Sequence, residues 1–176
     1  MRDANAAADV VGRIRALFRQ SLDSRIPTAL DSVLLEARQL MAEEAMRRSV
    51  LLDIEVESGL PSAAVDRVQL QQVLINLMRN AMEAMDGVAS DKVMKARMRR
   101  NGNVIQTEIS DCGLGIDRPD RIFEPFFTTK EQGMGMGLAI CRSIIESHGG
   151  KLWAEVNESP GATFIFTLPI EPNEVA

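Results

Sequence analysis

The chain has 176 residues, of which 45% are apolar and 26% are charged, a balance typical of one globular domain with a hydrophobic core. Its net charge of −5 argues against a nucleic-acid partner, because binding to a phosphate backbone requires a basic field. Two cysteines without zinc-ligand spacing favour a reduced, cytoplasmic protein, and no apolar run approaches the roughly 20 residues of a membrane span. We therefore expect no membrane contact by this domain, which leaves an anchor in a longer parent protein open.

The first predicted element is a helix over residues 3–22, where apolar residues recur at spacings of three and four. Such a helix cannot bury its stripe alone, so it is either an ordinary core helix or one half of a helical pair. After a break at residues 25–27, Thr28 is the predicted cap of a second helix. We expect the buried face of that helix to contain Leu30, Val33, Leu34, Ala37, Leu40 and Met41.

A strand and a third helix follow. Apolar and polar residues alternate over residues 50–57, which predicts a half-buried strand. Asp66 with Gln69 three positions later predicts the capped start of the third helix. Its apolar stripe contains Leu70, Val73, Leu74, Leu77, Met78, Ala81 and Met85.

The second half of the chain predicts two hairpins with a helix between them. The first hairpin turns at Asn101-Gly102, and the helix ends at Gly149-Gly150. The predicted elements are strands 93–99 and 104–111, a helix over about 138–147, and strands 152–156 and 163–168. We predict an α+β fold, in which a mostly antiparallel sheet carries helices on one face.

Two amides on the third helix form a candidate ligand pair. Asn76 and Asn80 are four residues apart, so they lie on one face, on the flank away from the apolar stripe. Carboxamide oxygens are neutral hard ligands, suited to Mg²⁺ that phosphates already partly neutralise. A solvated polar face is the alternative interpretation of the same pattern.

Asp111 ends the strand 104–111 and points to the same side as Ile105, Thr107 and Ile109. If those residues face the core, the carboxylate is aimed inward and needs a hydrogen-bond donor, such as an exocyclic amine. Gly113 and Gly115 follow, which would let a ligand approach the backbone. An Asx turn with permissive glycines is the alternative.

Alternating glycines lead directly into the fourth helix at residues 133–138. Exposed N–H groups at a helix N-terminus favour anions, and Thr128, Thr129 and Lys130 precede them in the chain. The spacing fits neither a Walker A loop nor a Rossmann fingerprint. A flexible surface loop is the alternative. His148, the sole histidine, is expected to lie near the dipole at the end of the fourth helix, without a chemical role.

Together these segments resemble the ATP-binding domain of sensor histidine kinases over about residues 28–170. Four segments carry the resemblance in order: QLQQVLINLMRNAMEAM resembles the N box, SDCGLGID the G1 box, IFEPFFTTK the F box and GMGMGLAI the G2 box. The short link between Lys130 and Gly133 is similar to the FixL and NtrB subgroup, which has a short ATP lid. The resemblance implies a Bergerat-type ATP-binding sandwich, with residues 25–176 as the kinase catalytic domain. Residues 1–24 would be the second helix of a dimerisation hairpin.

The resemblance also implies roles for individual residues, with ATP and Mg²⁺ as cofactors. Asp111 would bind the adenine amine and Asn80 would hold Mg²⁺, while Asn76 and Lys130 would support the phosphates during catalysis. The other implied ATP contacts are Gly113, Gly115, Ile116, Phe127, Thr129, Gly133, Gly135, Gly137, Leu138 and Thr163. Phe123, Phe126 and Phe127 would pack the base of the lid. Cys112 stands where a small polar residue is more usual in the family.

The related hydrolytic proteins carry a glutamate base at the position of Asn76, and an amide cannot take a proton. The resemblance therefore implies phosphoryl transfer to a side chain rather than ATP hydrolysis. No histidine precedes residue 28, so the phosphoacceptor histidine is expected outside this chain, which alone should not autophosphorylate. The implied partners are the dimerisation helix of the same kinase, a second kinase subunit and a response regulator receiver domain. An anti-sigma-type serine kinase and a non-enzymatic, nucleotide-gated interaction module are the alternatives.

Overall fold

The structure, a computed structural model, describes residues 25–89, 91–127 and 135–170. The elements in chain order are β1 Ile26–Thr28, α1 Leu30–Arg47, β2 Val50–Val56, β3 Ala63–Val65, α2 Arg67–Ala84, β4 Lys92–Asn101, β5 Val104–Ser110, α3 Gly137–Ser147, β6 Lys151–Val156 and β7 Ala162–Pro169. The predicted helix over residues 3–22 and the predicted domain of residues 1–24 lie outside the described residues. None of the helices described is long and apolar enough to cross a membrane.

The strands β2, β4, β5, β7 and β6 form one sheet in that order. The pair β2–β4 is parallel, and the pairs β4–β5, β5–β7 and β6–β7 are antiparallel. This arrangement confirms the predicted mostly antiparallel sheet. It also pairs β7 with β5 and places the turn of the hairpin β6–β7 beside the end of β5, a neighbourhood that period and turn chemistry alone do not reveal.

The three helices of the described residues all pack against the sheet, α1 on β2, α2 on β4 and β5, and α3 on β6 and β7. On β4 every second side chain is buried (Met94, Ala96 and Met98), while the residues between them are exposed. Such alternation is expected when one face of a sheet is covered and the other meets water. The predicted α+β class is therefore confirmed.

The N-terminus of α2 is capped as predicted. Asp66 precedes the helix in an extended conformation, and its side chain accepts hydrogen bonds from the N–H groups of Val68 and Gln69. The predicted apolar stripe is fully buried, from Leu70 to Met85. Cap and stripe together fix where α2 begins and which flank it presents to the rest of the site.

The prediction that Thr28 caps α1 is wrong. Ala29 precedes the helix, and Thr28 lies in β1, where its hydroxyl donates to the backbone oxygen of Ile26 at 2.8 Å. β1 pairs antiparallel with β3, an additional two-stranded sheet that the sequence analysis did not predict. Strands of three residues are too short to show a period, so only long-range pairing reveals them.

The predicted burial of Leu40 is also wrong, since 60% of this residue is exposed. The buried residues of α1 are Leu30, Val33, Leu34, Ala37, Met41 and Ala45. With 3.6 residues per turn, Leu40 lies about 80° from the centre of that stripe, at its margin. Neither α2 nor β2 covers this margin, so an apolar residue there remains in water.

The predicted hairpin and helix end are confirmed, but the hairpin turn lies one residue later than the predicted Asn101-Gly102. Asn101 pairs with Val104, so Gly102 and Asn103 form the two-residue loop, and Gly102 has a φ of 61°. Glycine accepts this left-handed conformation without a steric cost. Helix α3 ends at Ser147, and Gly149 follows with a φ of 76°.

Candidate functional site

The flank of α2 that carries Asn76 faces α3. The Nδ2 atom of Asn76 lies 3.1 Å from the Sγ atom of Cys141 on α3, to which it donates. A Cβ atom on Gly137 would lie 2.8 Å from the same Nδ2 atom and 3.1 Å from Oδ1. The amide therefore lies against the first turn of α3, where glycine leaves room for it. Asn80 lies one turn further along α2 and is half-buried.

The Cys141 thiol, which contacts this amide, is expected to be unreactive. Only 1% of the residue is exposed, and burial raises the pKa of the thiol to about 11, against a smaller lowering by the hydrogen bond from Asn76. The thiol is therefore neutral at ordinary pH, and it serves to orient Asn76 rather than to act as a nucleophile. Cys141 belongs to the hydrophobic core.

Asp111 has a buried carboxylate at the end of β5. The residue is 5% exposed and points to the same side as the buried Ile105, Thr107 and Ile109, as the alternation predicts. Its Oδ1 atom accepts from the N–H groups of Gly113 at 2.8 Å and Ala162 at 3.4 Å. Burial raises the pKa of the carboxyl group, and these two hydrogen bonds oppose that shift. Among the described residues, Oδ2 accepts no hydrogen bond.

The loop after Asp111 passes close to the end of α2. A Cβ atom on Gly113 would lie 2.3 Å from the backbone oxygen of Ala84, so no other residue fits there. The N–H group of Leu114 donates to that same oxygen at 3.3 Å. Gly115 has a φ of 82°, and Ile116 beside it is half-buried against the core. The candidate adenine side and the C-terminal turn of α2 are thus adjacent.

Thr163 lies at the start of β7, paired with Ser110. Its Oγ1 atom is 2.7 Å from Oδ1 of Asn157 and 2.9 Å from Oγ of Ser110. Sequence reasoning missed Asn157, because only the strand order β5–β7–β6 brings the hairpin turn against the end of β5. The available signal was that Asn157 follows a predicted strand directly.

The aromatic segment 122–127 meets the glycines that precede α3. The N–H group of Phe126 donates to the backbone oxygen of Gly135 at 3.0 Å. Phe123 is buried and meets Phe164 edge-on, with 6.3 Å between the ring centres. Phe127 is half-buried beneath the guanidinium of Arg121, whereas Phe126 is 54% exposed. Phe126 and Gly135, which lie on either side of residues 128–134 in the chain, are therefore held together.

Apart from Ile116, Phe127 and Gly135, the predicted site residues fall into three groups. The flank of α2 and the first turn of α3 bring together Asn76, Gly137 and the half-buried Leu138, with Asn80 one turn away. The strand ends bring together Asp111, Gly113, Gly115 and Thr163. Thr129, Lys130 and Gly133 lie outside the described residues.

His148 lies at the C-terminal end of α3, as predicted, where it is the C-cap residue. It is 6% exposed, its Nδ1 atom lies 2.8 Å from the backbone oxygen of Ile144, and its Nε2 atom accepts from the N–H group of Asp66 at 3.0 Å. Since a carbonyl oxygen only accepts, Nδ1 carries the proton. Burial lowers the pKa of the imidazole, so the ring is neutral and joins the end of α3 to the start of α2.

Cys112 is half-buried, and its Sγ atom lies 3.4 Å from the Sδ atom of Met85. Both cysteines are free thiols. Two surface grooves, of about 440 and 300 Å³, lie along α1 and β2, and no described residue of the predicted site lines them. In the described ranges no group of three or more His, Cys, Asp or Glu side chains is placed to hold a metal ion.

Comparison with known proteins decides the family. A family model described as histidine kinase-, DNA gyrase B- and HSP90-like ATPase matches residues 65–172, more than half of the chain. The chain belongs to this ATPase family. The predicted fold and the resemblance to sensor histidine kinases are thereby confirmed.

Individual relatives place this ATPase domain among the sensor histidine kinases. It is 41% identical over 165 residues to the sensor protein FixL of Bradyrhizobium diazoefficiens, covering 93% of the chain and 33% of the relative. It is 36% identical over 176 residues to the C4-dicarboxylate transport sensor protein DctS of Rhodobacter capsulatus, covering 98% of the chain and 27% of the relative. The chain thus spans about a third of the length of these curated relatives.

A solved structure of similar extent gives the same result. The catalytic domain of histidine kinase ThkA superposes with a TM-score of 0.74 at 34% identity, covering 83% of this chain and 95% of that one. The chain is therefore an ATP-binding catalytic domain of the sensor histidine kinase kind.

Proposed function

We propose that this domain binds Mg-ATP along the flank of α2, for transfer of the γ-phosphoryl group to a histidine outside the chain. The observation that carries the proposal is the order of groups along α2. The amide of Asn76 lies against the start of α3, Asn80 follows after one turn, and the Asp111 loop lies against Ala84. Asn76 and Ala84 are eight residues apart, which is about 12 Å along a helix and suits one extended nucleotide.

At one end of this flank, Asp111 would bind the adenine amine. Its Oδ1 atom is already engaged by two backbone N–H groups, while Oδ2 accepts from none of the described residues. An exocyclic amine donates a hydrogen bond and carries no charge, so it suits an acceptor in this position. Gly113, Gly115, Ile116 and Thr163 would line the base.

At the other end, the first turn of α3 would bind phosphate oxygens. Helix α3 begins at Gly137 after Met136, which provides no side-chain cap, so its first N–H groups remain available to an anion. Leu138 would pack beside them. Gly133, Gly135, Phe127, Thr129 and Lys130 would form the lid over the phosphates, with Lys130 supplying positive charge.

Asn80 would hold Mg²⁺ through its amide oxygen, with Asn76 supporting the metal and phosphates. The donor set fits this ion, because Mg²⁺ usually keeps several waters and takes only one or two protein ligands beside phosphate. Bound Mg²⁺ supplies neutralisation of phosphate charge. The side chains would supply orientation, and the amide of Asn76 cannot act as the base that hydrolysis requires.

Partners of the parent protein follow from the same proposal. The phosphoacceptor would lie on a dimerisation helix of the same kinase, in a homodimer located in the cytoplasm. His148 is a poor phosphoacceptor, because it is buried and both ring nitrogens are engaged. A solved complex of ThkA with the response regulator protein TrrA supports a response regulator receiver domain as the downstream partner.

Calorimetric titration of Mg-ATP into the purified chain tests the site. We expect binding by the unmodified chain, and weakening of about ten- to a hundredfold by Asp111→Asn, the cost of one hydrogen bond to a charged group. The exposed Asp120→Asn is the matched control and should bind normally. No binding by the unmodified chain, or equal binding by Asp111→Asn, would overturn the site.

Transfer is tested separately. The chain with radiolabelled Mg-ATP should not label itself, but it should label an added dimerisation hairpin from a related sensor kinase. The label should be lost in acid and retained in base, as phosphohistidine chemistry requires. An acid-stable label on serine, or no transfer despite tight binding, would contradict the proposed phosphotransfer.

A further inference from the structure

Three polar side chains form a cluster where β5 and β6 end and β7 begins. We call these residues, Asn157, Ser110 and Thr163, the Asn157 cluster. Asn157 follows β6 directly and reaches across β7 to the end of β5. Its Nδ2 atom donates to the backbone oxygen of Asp111 at 3.0 Å and approaches Oγ of Ser110 at 3.4 Å. Its Oδ1 atom lies 2.7 Å from Oγ1 of Thr163.

In this cluster, the direction of one hydrogen bond determines the directions of the others. An amide oxygen only accepts, so Thr163 donates to Asn157. The Thr163 oxygen then accepts from the Ser110 hydroxyl, 2.9 Å away, and the Ser110 oxygen accepts from Nδ2 of Asn157. The ring leaves the remaining Nδ2 proton for the Asp111 carbonyl, so the amide cannot rotate without breaking several hydrogen bonds.

The carbonyl that Asn157 holds is also confined from the other side. A Cβ atom on Gly161 would lie 2.0 Å from this oxygen, so the chain passes very close to it. The N–H group of Asp111 donates to the backbone oxygen of Ala162 at 3.0 Å. The peptide groups before and after Asp111 are therefore both fixed, and they set the direction in which its side chain leaves the backbone.

We propose that Asn157 is a positioning residue for the Asp111 carboxylate and thereby sets the preference for a nucleobase with an exocyclic amine. The proposal rests on the proposed adenine role of Asp111. Asn157 itself touches the backbone of Asp111 and not its carboxylate, so it acts through geometry. A hydrogen bond to the amine needs Oδ2 at the right distance and angle, whereas stacking and phosphate contacts tolerate small shifts.

The test compares two nucleotides on three proteins by calorimetry. The ligands are Mg-ATP and the Mg complex of purine riboside 5′-triphosphate, which has hydrogen in place of the amine. Asn157→Asp keeps the shape and the acceptor for Thr163 but loses the donor to Asp111. Asn101→Asp is the matched control, since it loses one Nδ2 hydrogen bond, to Gln106 at 3.0 Å, at the far end of the sheet.

For the unmodified chain and Asn101→Asp we expect ATP to bind about ten- to a hundredfold more tightly than the analogue. In Asn157→Asp this ratio should fall about tenfold, through weaker ATP binding, with the affinity for the analogue changed less than about twofold. A merely structural role would weaken both nucleotides alike and leave the ratio unchanged. An unchanged ratio in Asn157→Asp therefore overturns the proposal.

The outcomes separate a failure of the adenine site from a failure of the role of Asn157. If the unmodified chain binds neither nucleotide, or binds both equally, the adenine site itself is wrong and the proposal falls with it. If it prefers ATP and Asn157→Asp retains the full preference, only the role of Asn157 is wrong. Should Asn157→Asp fail to fold by circular dichroism, Ser110→Ala decides: we expect its ratio to fall about threefold, and an unchanged ratio overturns the proposal.

Discussion

The buried histidine gives a sharp test of how the helices are joined. Nε2 of His148 accepts from the N–H group of Asp66 at the start of α2, and Nδ1 donates to the backbone oxygen of Ile144 on α3. The substitution His148→Ala removes both hydrogen bonds and the acceptor of a partly buried N–H group. The bond to Asp66 joins the two helix ends directly, so we expect its loss to appear as global destabilisation.

The size of the effect follows from the bonds removed. Each hydrogen bond contributes about 1 kcal/mol, and a buried N–H group that loses its acceptor costs about 1 kcal/mol more. We therefore expect His148→Ala to lower the free energy of unfolding by about 3 kcal/mol, a large part of the 5–15 kcal/mol typical of a domain. The exposed Glu146→Ala on the same helix should change it by less than about 0.5 kcal/mol.

The same residue gives stability a predictable pH dependence. Burial lowers the pKa of His148, the charge of Arg25 lowers it further, and the hydrogen bond to Ile144 and the charge of Asp66 oppose this. Below the ordinary histidine pKa of about 6.5 the unfolded chain therefore binds a proton that the folded chain does not. Stability is complete above that pH and falls as the pH drops towards the folded-state pKa, by at most about 1.4 kcal/mol per unit.

Urea unfolding followed by circular dichroism between about pH 5 and pH 7.5 measures both effects. Since the chain has one histidine, His148→Ala should unfold more easily at neutral pH and lose this part of the pH dependence. The reasoning is refuted if His148→Ala keeps the pH dependence of the unmodified chain, or loses less than about 0.5 kcal/mol at neutral pH.

Three further predictions concern stability, each measured by urea unfolding. Gly161→Ala should lower the free energy of unfolding by at least about 2 kcal/mol and weaken ATP binding, because Gly161 has a φ of 125° and a Cβ atom there would clash with the backbone oxygen of Asp111. An unchanged urea midpoint would contradict this. Thr107→Val should raise the free energy of unfolding by about 1 kcal/mol, because the buried hydroxyl has no hydrogen-bond partner among the described residues. A loss of about 1 kcal/mol would show that the hydroxyl has such a partner. Leu40→Glu should cost less than about 0.5 kcal/mol, whereas Leu34→Ala should cost about 2–5 kcal/mol; equal losses would show that Leu40 is buried.

Much of the candidate site could be predicted because its signals are local. The alternation of β5 places Asp111 on the same side as Ile109, and the helical period places Asn76 and Asn80 on one flank of α2. Each statement depends only on the geometry of one element. The positions of Thr129 and Lys130 remain predictions, since they lie outside the described residues.

Other features could not be read from the sequence, because they depend on contacts between distant segments. Nothing near Asn157 in the chain indicates that its amide binds Asp111, 46 positions away. The burial of His148 and its hydrogen bond from the N–H group of Asp66, 82 positions away, likewise depend on how two helices meet. In both cases the role of a polar side chain depends on a backbone group that is distant in the sequence but adjacent in the fold.

The sequence by itself determined where most helices and strands begin and end, which stripe of α2 is buried, and the family to which the chain belongs. Periodicity, caps and turn residues act over a few positions, so they can be recognised in the sequence without knowledge of the tertiary structure. Only the tertiary structure decided that Leu40 is exposed, that Thr28 joins a strand, and that Asn157 supports Asp111. Strand order and helix packing set these outcomes, because a side chain's burial and partners are properties of the assembled layers and not of its own segment.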